Sequence, residues 1–158
     1  NGEYDLIVIG AGSAGLTAAG FAAQLGLKVA LAEKNRVGGD CTWTGCVPSK
    51  SLLKAAKIAH QMRNAHRFGI RSAEPEVDLK AVMARVKRVV DEVYQAESPE
   101  TLRASGIDVY LGPTHFLDSH TIESGDDTLT GRRFLIATGA RPAVPPISGI
   151  DAVDFLTY

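Results

Sequence analysis

The chain has 158 residues (16.8 kDa), of which 45% are hydrophobic, enough apolar surface for one buried core of ordinary domain size. Its 17 basic and 18 acidic side chains leave a net charge of −1, so no global field draws nucleic acid or an anionic membrane, and neither is expected as a partner. No apolar run approaches the roughly 18 residues of a spanning helix, no basic-then-apolar leader opens the chain, and two cysteines are too few for a disulfide-stapled secreted scaffold, so a cytoplasmic protein is expected.

Tyr4-Asp5-Leu6-Ile7-Val8-Ile9-Gly10 is a short apolar run closed by glycine, the pattern of a buried parallel strand. Ser13 to Leu25 is rich in Ala, Leu and Gly and reads as a helix stopped at Gly26; Leu27 to Glu33 reads as a second strand. The three make a βαβ unit and imply a parallel sheet. Pro48 to Arg67 is a second helix with apolar positions at Leu52, Leu53, Ala56 and Ala59, and Asp78 to Gln95 is a third, with Leu79, Val82, Met83, Val86, Val89, Val90 and Val93 at helical spacing. Ser98-Pro99-Glu100 marks a fresh helix start, Ser capping and Pro entering the first turn. Arg85, Lys87 and Arg88 read as a solvated basic face. Segments near 107–111, 115–117, 120–123, 127–130 and 133–136 are β-rich around a turn at Gly125-Asp126-Asp127, which predicts antiparallel strands with the last returning to the parallel sheet. The chain opens at Asn1 without Met and ends soon after the Pro- and Gly-rich stretch 141–149, so a longer parent protein is expected.

Gly10-Ala11-Gly12-Ser13-Ala14-Gly15 joins the first strand to the first helix. In such a loop the first glycine permits the tight turn, the second lets backbone approach a pyrophosphate, and the third packs helix on strand. The amides of the helix N-terminus face the phosphates. Glu33 closes the second strand 18 positions after Gly15, near the interval of a ribose-binding acid. The same pattern also describes a tight turn beside a solvated glutamate, and it does not separate NAD from FAD.

Both cysteines lie in Gly38-Gly39-Asp40-Cys41-Thr42-Trp43-Thr44-Gly45-Cys46-Val47-Pro48-Ser49-Lys50. Five residues along one helix hold α-carbons too far apart for a disulfide, so Cys41 is expected on a bend outside the helix that carries Cys46. Pro48 places Cys46 near a helix N-terminus, where a thiolate is favoured, and Lys50 falls on the same face one turn later. Half of a zinc site and two inert core thiols remain as other readings of the cysteines, and a solvated basic face as another reading of Lys50.

These residues resemble the FAD-containing pyridine nucleotide-disulfide oxidoreductases over essentially the whole chain. The resemblance implies an α/β fold: a Rossmann-like FAD-binding domain with a parallel sheet and a small antiparallel β-meander. Residues 1–158 would be its N-terminal part, with nicotinamide and dimerisation domains lying outside them. It implies FAD contacts from Gly10, Gly12, Ser13, Ala14 and Gly15, from Glu33 at the ribose, and from Lys34, Gly39, Asp40, Cys41, Cys46 and Lys50. Further contacts are implied from His115 and Phe116 beside the adenine, and from Ala137, Thr138 and Gly139 at the end of the last strand. By the same resemblance Cys41 is the interchange thiol, Cys46 the sulfur beside the flavin, and Lys50 a lysine near the flavin N5, making these three the catalytic group. The Pro-Ser-Lys form resembles mercuric reductase and dihydrolipoamide dehydrogenase more than glutathione reductase. Asp40, where threonine is common, and Thr42-Trp43-Thr44 depart from the family pattern, and Trp43 is either substrate-facing or packed.

The implied activity passes electrons from NAD(P)H through FAD to a Cys41–Cys46 disulfide and on to a small-molecule disulfide, a lipoyl group or a metal ion, in a homodimer. Two other classes fit the residues: a non-catalytic dinucleotide-binding module with structural cysteines, and a flavin-free NAD-dependent dehydrogenase.

Overall fold

In the first strand, β1 (Leu6–Ile9), Val8 points into one layer while Ile7 and Ile9 point into the other, because successive side chains of a strand face opposite sides. The computed structural model of the chain describes residues 3–157; Asn1, Gly2 and Tyr158 of the expected domain lie outside the described residues. Helix α1 (Ser13–Gln24) follows β1 and ends at Leu25-Gly26, where Gly26 takes the positive φ (+81°) expected of the residue after a helix cap. Strand β2 (Val29–Glu33) then pairs parallel to β1, completing the βαβ unit.

Two short loops later come α2 (Gly39–Trp43) and α3 (Cys46–Arg63), the latter closed by a 3₁₀ turn at Ala65–Phe68. Helix α4 (Leu79–Glu97) is capped by Asp78, whose Oδ1 accepts from the Ala81 amide at 3.0 Å. Ser98 ends α4 and caps α5 (Pro99–Ala104), so the break expected from Ser98-Pro99 is present. Strands β3 (Ile107–Leu111), β4 (Thr114–Phe116), β5 (Thr121–Ser124), β6 (Asp127–Thr130) and β7 (Phe134–Ile136) follow.

The larger sheet runs β3-β2-β1-β7, all parallel, and the smaller is an antiparallel meander β4-β5-β6 turning at Gly125-Asp126. Here the sequence expectation is corrected at one strand: β3 is not antiparallel but pairs parallel with β2, from Val29 opposite Ile107 to Glu33 opposite Leu111. The helices α3 to α5 form the long crossover that a parallel connection requires. One face of the sheet buries Val8, Val29, Leu31 and Val109 against Ala19 and Ala22 of α1. The other buries Ile7, Ile9, Ala30 and Ala32 against Ile122 and Leu129 of the meander. Tyr4 closes the meander side, its hydroxyl donating to Asp108 Oδ2 (2.8 Å) and sharing a hydrogen bond with Tyr110 (2.7 Å); burial and these partners push its phenol well up.

Helices α3 and α4 pack on each other. Ser51 is buried, and Arg85 donates to its hydroxyl (2.7 Å) and its carbonyl (3.3 Å). Arg85 is therefore a tie between helices, not part of a purely solvated basic face. Leu52 and Leu53, expected as apolar positions of α3, are exposed, as are Leu79 and Met83 of α4.

Candidate functional site

The strand order reverses between β1 and β7: the chain proceeds from β1 to β2 and β3 on one side and returns to β7 on the other. Ligands of open parallel sheets bind in the crevice at such a switch, beyond the carboxyl ends of the strands. A groove of about 590 Å³ lies there. The ends of β1 (Gly10), β2 (Glu33) and β7 (Ala137) all reach it, together with the first turn of α1 and the short helix α2.

Each glycine of the loop answers to a different constraint. At Gly10 (φ +102°) a Cβ would collide with the Ala137 carbonyl, so the end of β7 can lie directly on the loop. At Gly15 a Cβ would strike the Gly10 carbonyl oxygen and come 3.3 Å from Val8 Cγ1, which is the close packing of helix on strand. Gly12 is different. Its backbone (φ −84°, ψ −170°) suits any residue, and the nearest protein atom to a Cβ there is the Gly39 α-carbon at 3.9 Å. No neighbour forbids a side chain at Gly12, so its glycine keeps open the groove wall where α1 presents its unbonded first-turn amides. A pyrophosphate fits this cradle.

Glu33 sits at the end of β2 with its carboxylate across the glycine loop. Oε2 accepts from the Ala11 amide at 2.7 Å and Oε1 from the Asn35 amide at 2.9 Å. A carboxylate has about four lone-pair sites, so the two fixed amides orient it while leaving capacity for ribose hydroxyls. The loop, the acid and the amide cradle together fit an adenine dinucleotide such as FAD.

The cysteine stretch folds as two helices joined by Thr44-Gly45, so Cys41 lies outside the helix that carries Cys46, as expected, but in a short helix of its own. Cys41 lies within α2 and Cys46 opens α3, with Pro48 in its first turn, where a missing N–H costs nothing. Gly38 (φ +111°) and Gly39 (φ +59°) turn the chain into α2 and seat it on the glycine loop. Thr42, buried, ties α2 to α4 by donating to Glu97 Oε2 at 2.8 Å. Trp43 packs on Tyr94 of α4 (ring centroids 4.9 Å apart), as the packed reading has it, and also lines the groove.

Both cysteines are free thiols, Cys41 half-buried and Cys46 exposed. The hydrogen bond from Cys46, then one from Ser13, and more weakly the Lys50 ammonium hold Cys41 below the ordinary thiol range, with burial acting in the opposite sense. Cys46 is held above that range because it donates to Cys41 and faces the Cys41 charge, which together outweigh Lys50. The hydrogen bond between the two thiols thus lowers the pKa of Cys41 and raises that of Cys46, which opposes the effect of the helix N-terminus on Cys46.

Of the sequence-predicted residues, Gly10, Gly12, Ser13, Ala14, Glu33 and Lys34 line the groove. So do Gly39, Asp40, Cys41, Ala137, Thr138 and Gly139. Gly15 lies behind it, packing α1. Cys46 and Lys50 stand outside its wall but act electrostatically on Cys41. His115 and Phe116 are not in the wall: His115 Nε2 pairs across the meander with Glu123 Oε2 (2.6 Å), and Phe116 meets the Phe134 ring edge-on. Their neighbour Thr114 instead borders a small side pocket of about 110 Å³ beside Glu33 and Thr138. Groove residues not singled out as cofactor contacts are Asn35, Arg36, Trp43, Thr44, Ala140 and Arg141. Each directly extends a recognised motif, and that adjacency is the signal by which they could have been found.

The family model described as pyridine nucleotide-disulphide oxidoreductase matches residues 4–158. A mercuric reductase of Lysinibacillus sphaericus is 38% identical over 155 residues, covering 98% of this chain and 28% of the relative. A dihydrolipoyl dehydrogenase of Bacillus subtilis is 37% identical, covering 98% of this chain and 35% of the relative. A glutathione reductase of a Nostoc species is 34% identical, covering 94% and 32% respectively. The chain therefore spans about a third of the length of the curated relatives it matches. Among the described residues no helix is long and apolar enough to cross a membrane. On the match along nearly its whole length, the chain belongs to the pyridine nucleotide-disulphide oxidoreductase family.

Proposed function

We propose that the chain is the FAD-binding part of a flavoprotein disulfide reductase, a cytoplasmic homodimer as a whole, that uses NAD(P)H to reduce a small disulfide, a lipoyl group or a metal ion by way of Cys41 and Cys46. The observation that carries this reading is the one groove shared by the glycine loop, Glu33, Cys41 and the Ala137–Gly139 turn. FAD, when bound, supplies hydride acceptance from the nicotinamide and two-electron delivery to the cysteine pair.

The chain's own residues bind, orient and exchange. Amides of Gly12, Ser13 and Ala14 at the N-terminus of α1 take the phosphates, and Glu33 accepts from ribose hydroxyls. In the reduced pair the Cys41 thiolate attacks one sulfur of a substrate disulfide; a mixed disulfide forms and the first substrate thiolate leaves. Cys46 gives up its proton and attacks the Cys41 sulfur, the mixed disulfide breaks, the second thiolate leaves, and the pair is left oxidised by two electrons. The lowered pKa of Cys41 supports it as the first nucleophile, and Lys50 favours negative charge at both sulfurs. The mercuric reductases and dihydrolipoyl dehydrogenases among the relatives support a metal-ion or lipoyl acceptor.

The test is NADH- and NADPH-dependent reduction of lipoamide, oxidised glutathione and mercuric ion by the full protein. At least one acceptor should be reduced, and both Cys41→Ser and Cys46→Ser should lose that turnover while keeping flavin. Turnover that survives in both variants removes the pair from the electron path.

A further inference from the structure

We propose that Arg36, carried on the Trp43 ring, is an anion clamp for a phosphate of the bound dinucleotide; the inference rests on the flavin reading above. Trp43 is the chain's one tryptophan. Its indole is fixed from three directions: Nε1 donates to the Val37 carbonyl at 2.8 Å, the Tyr94 ring packs at 4.9 Å, and the Arg36 guanidinium carbon lies 3.8 Å from the ring centroid. A guanidinium over an indole is attracted by the ring's negative face and keeps its N–H donors free for another partner.

That partner is not protein. Among the described residues no group accepts a hydrogen bond from the Arg36 guanidinium and no carboxylate pairs with it, while Arg36 and Trp43 both line the groove. Lys34 and Arg141 line it as well, but no aromatic ring fixes either of them. A planar fork with fixed orientation matches phosphate oxygens better than a ribose hydroxyl, and Glu33 already serves the ribose. The same wall carries Asp40, whose negative charge opposes an arriving phosphate, so a fixed cation there offsets the departure from threonine at that position. Trp43 acts as the positioning residue, since it holds Arg36 without itself needing to meet the phosphate.

The experiment measures dissociation constants of FAD and ADP for the full protein at two salt concentrations. Arg36→Ala should bind both ligands about 10-fold more weakly or worse and with a shallower salt dependence, because one phosphate-facing charge is gone. Trp43→Phe, which keeps an aromatic face, should retain most of the affinity, and Trp43→Leu should lose it toward the Arg36→Ala level. Arg36 is exposed, so its variant folds whether or not Trp43→Leu does. Unchanged affinity in Arg36→Ala, or lower affinity with an unaltered salt dependence, overturns the clamp while leaving the flavin reading intact. A wild-type protein that binds neither ligand overturns the flavin reading, and the clamp with it.

Discussion

A Cβ added to Gly39 would stand 2.8 Å from the α-carbon of Gly12, whereas one added to Gly12 would stand 3.9 Å from the α-carbon of Gly39. The cysteine segment is thus seated backbone to backbone on the phosphate loop, and the contact is intolerant from one side only. Gly39 also has a positive φ of +59°, so Gly39→Ala meets both backbone strain and a clash, a cost of about 1–3 kcal/mol. Gly12→Ala should change stability by less than about 1 kcal/mol. It should nevertheless weaken FAD binding about 10-fold or more, since its methyl group would occupy the groove wall. Denaturant unfolding alongside FAD titration separates the two outcomes; equal effects of both substitutions on both readouts would refute this division.

Glu33 holds two amides with one carboxylate. Glutamine at this position has a single acceptor oxygen, so either the Ala11 or the Asn35 amide loses its partner. Glu33→Gln should cost about 1–3 kcal/mol of stability and also weaken FAD, because the glycine loop and the ribose lose one shared support. Thermal unfolding and FAD titration check it, and a fully stable variant with normal affinity would count against the role given to Glu33.

The cysteines should react in a fixed order. Because the Cys41 pKa is lowered, its thiolate persists to lower pH than that of an ordinary thiol and disappears only as the pH falls through the lowered value; Cys46, with its pKa raised, gives up its proton at higher pH than an ordinary thiol. Alkylation by iodoacetamide followed across pH by mass spectrometry should modify Cys41 first. In Cys46→Ala the Cys41 inflection should move up, since the largest cause of its shift is removed. Lys50→Ala should move it up by less. Modification of Cys46 ahead of Cys41 would reverse the assignment.

The bond from Thr42 to Glu97 is the one by which a buried hydroxyl of α2 is tied to α4. Thr42→Val preserves shape and removes the donor, leaving a carboxylate oxygen without its partner, at a cost of about 1–3 kcal/mol. The expected signature is a lower unfolding midpoint together with faster alkylation of Cys41, as α2 loosens. A lower midpoint with unchanged alkylation would confine the bond to stability.

The parallel core was legible because strand, glycine turn and helix follow one another without interruption from Tyr4 to Glu33, and local pattern there agrees with the packing on both faces. β3 was not, since its half-buried alternation looks the same whether its partner runs parallel or antiparallel; only the pairing with β2 decides it. The glycine loop, Glu33 and Cys41 were legible as motifs. Arg36 was not, because its role depends on a ring seven positions away that the two glycines of the intervening turn bring over it. The order of the two thiols was hidden for a related reason: helix position speaks for Cys46, but the hydrogen bonds that favour charge come from Cys46 itself and from Ser13 to Cys41, a contact across 28 positions of chain. Leu52 and Leu53 show the converse case, apolar at helical spacing yet exposed among the described residues.

The central claim is that the groove holds a flavin beside the cysteine pair. The most direct test is the visible absorption spectrum of the protein with FAD during titration with a dithiol. The account predicts bound-flavin bands and, on reduction of the pair, a long-wavelength thiolate-to-flavin charge-transfer band that is absent when both cysteines are replaced by serine. Bound flavin without that band in the wild type would contradict the placement of the cysteines, and a protein that binds no FAD would contradict the claim as a whole.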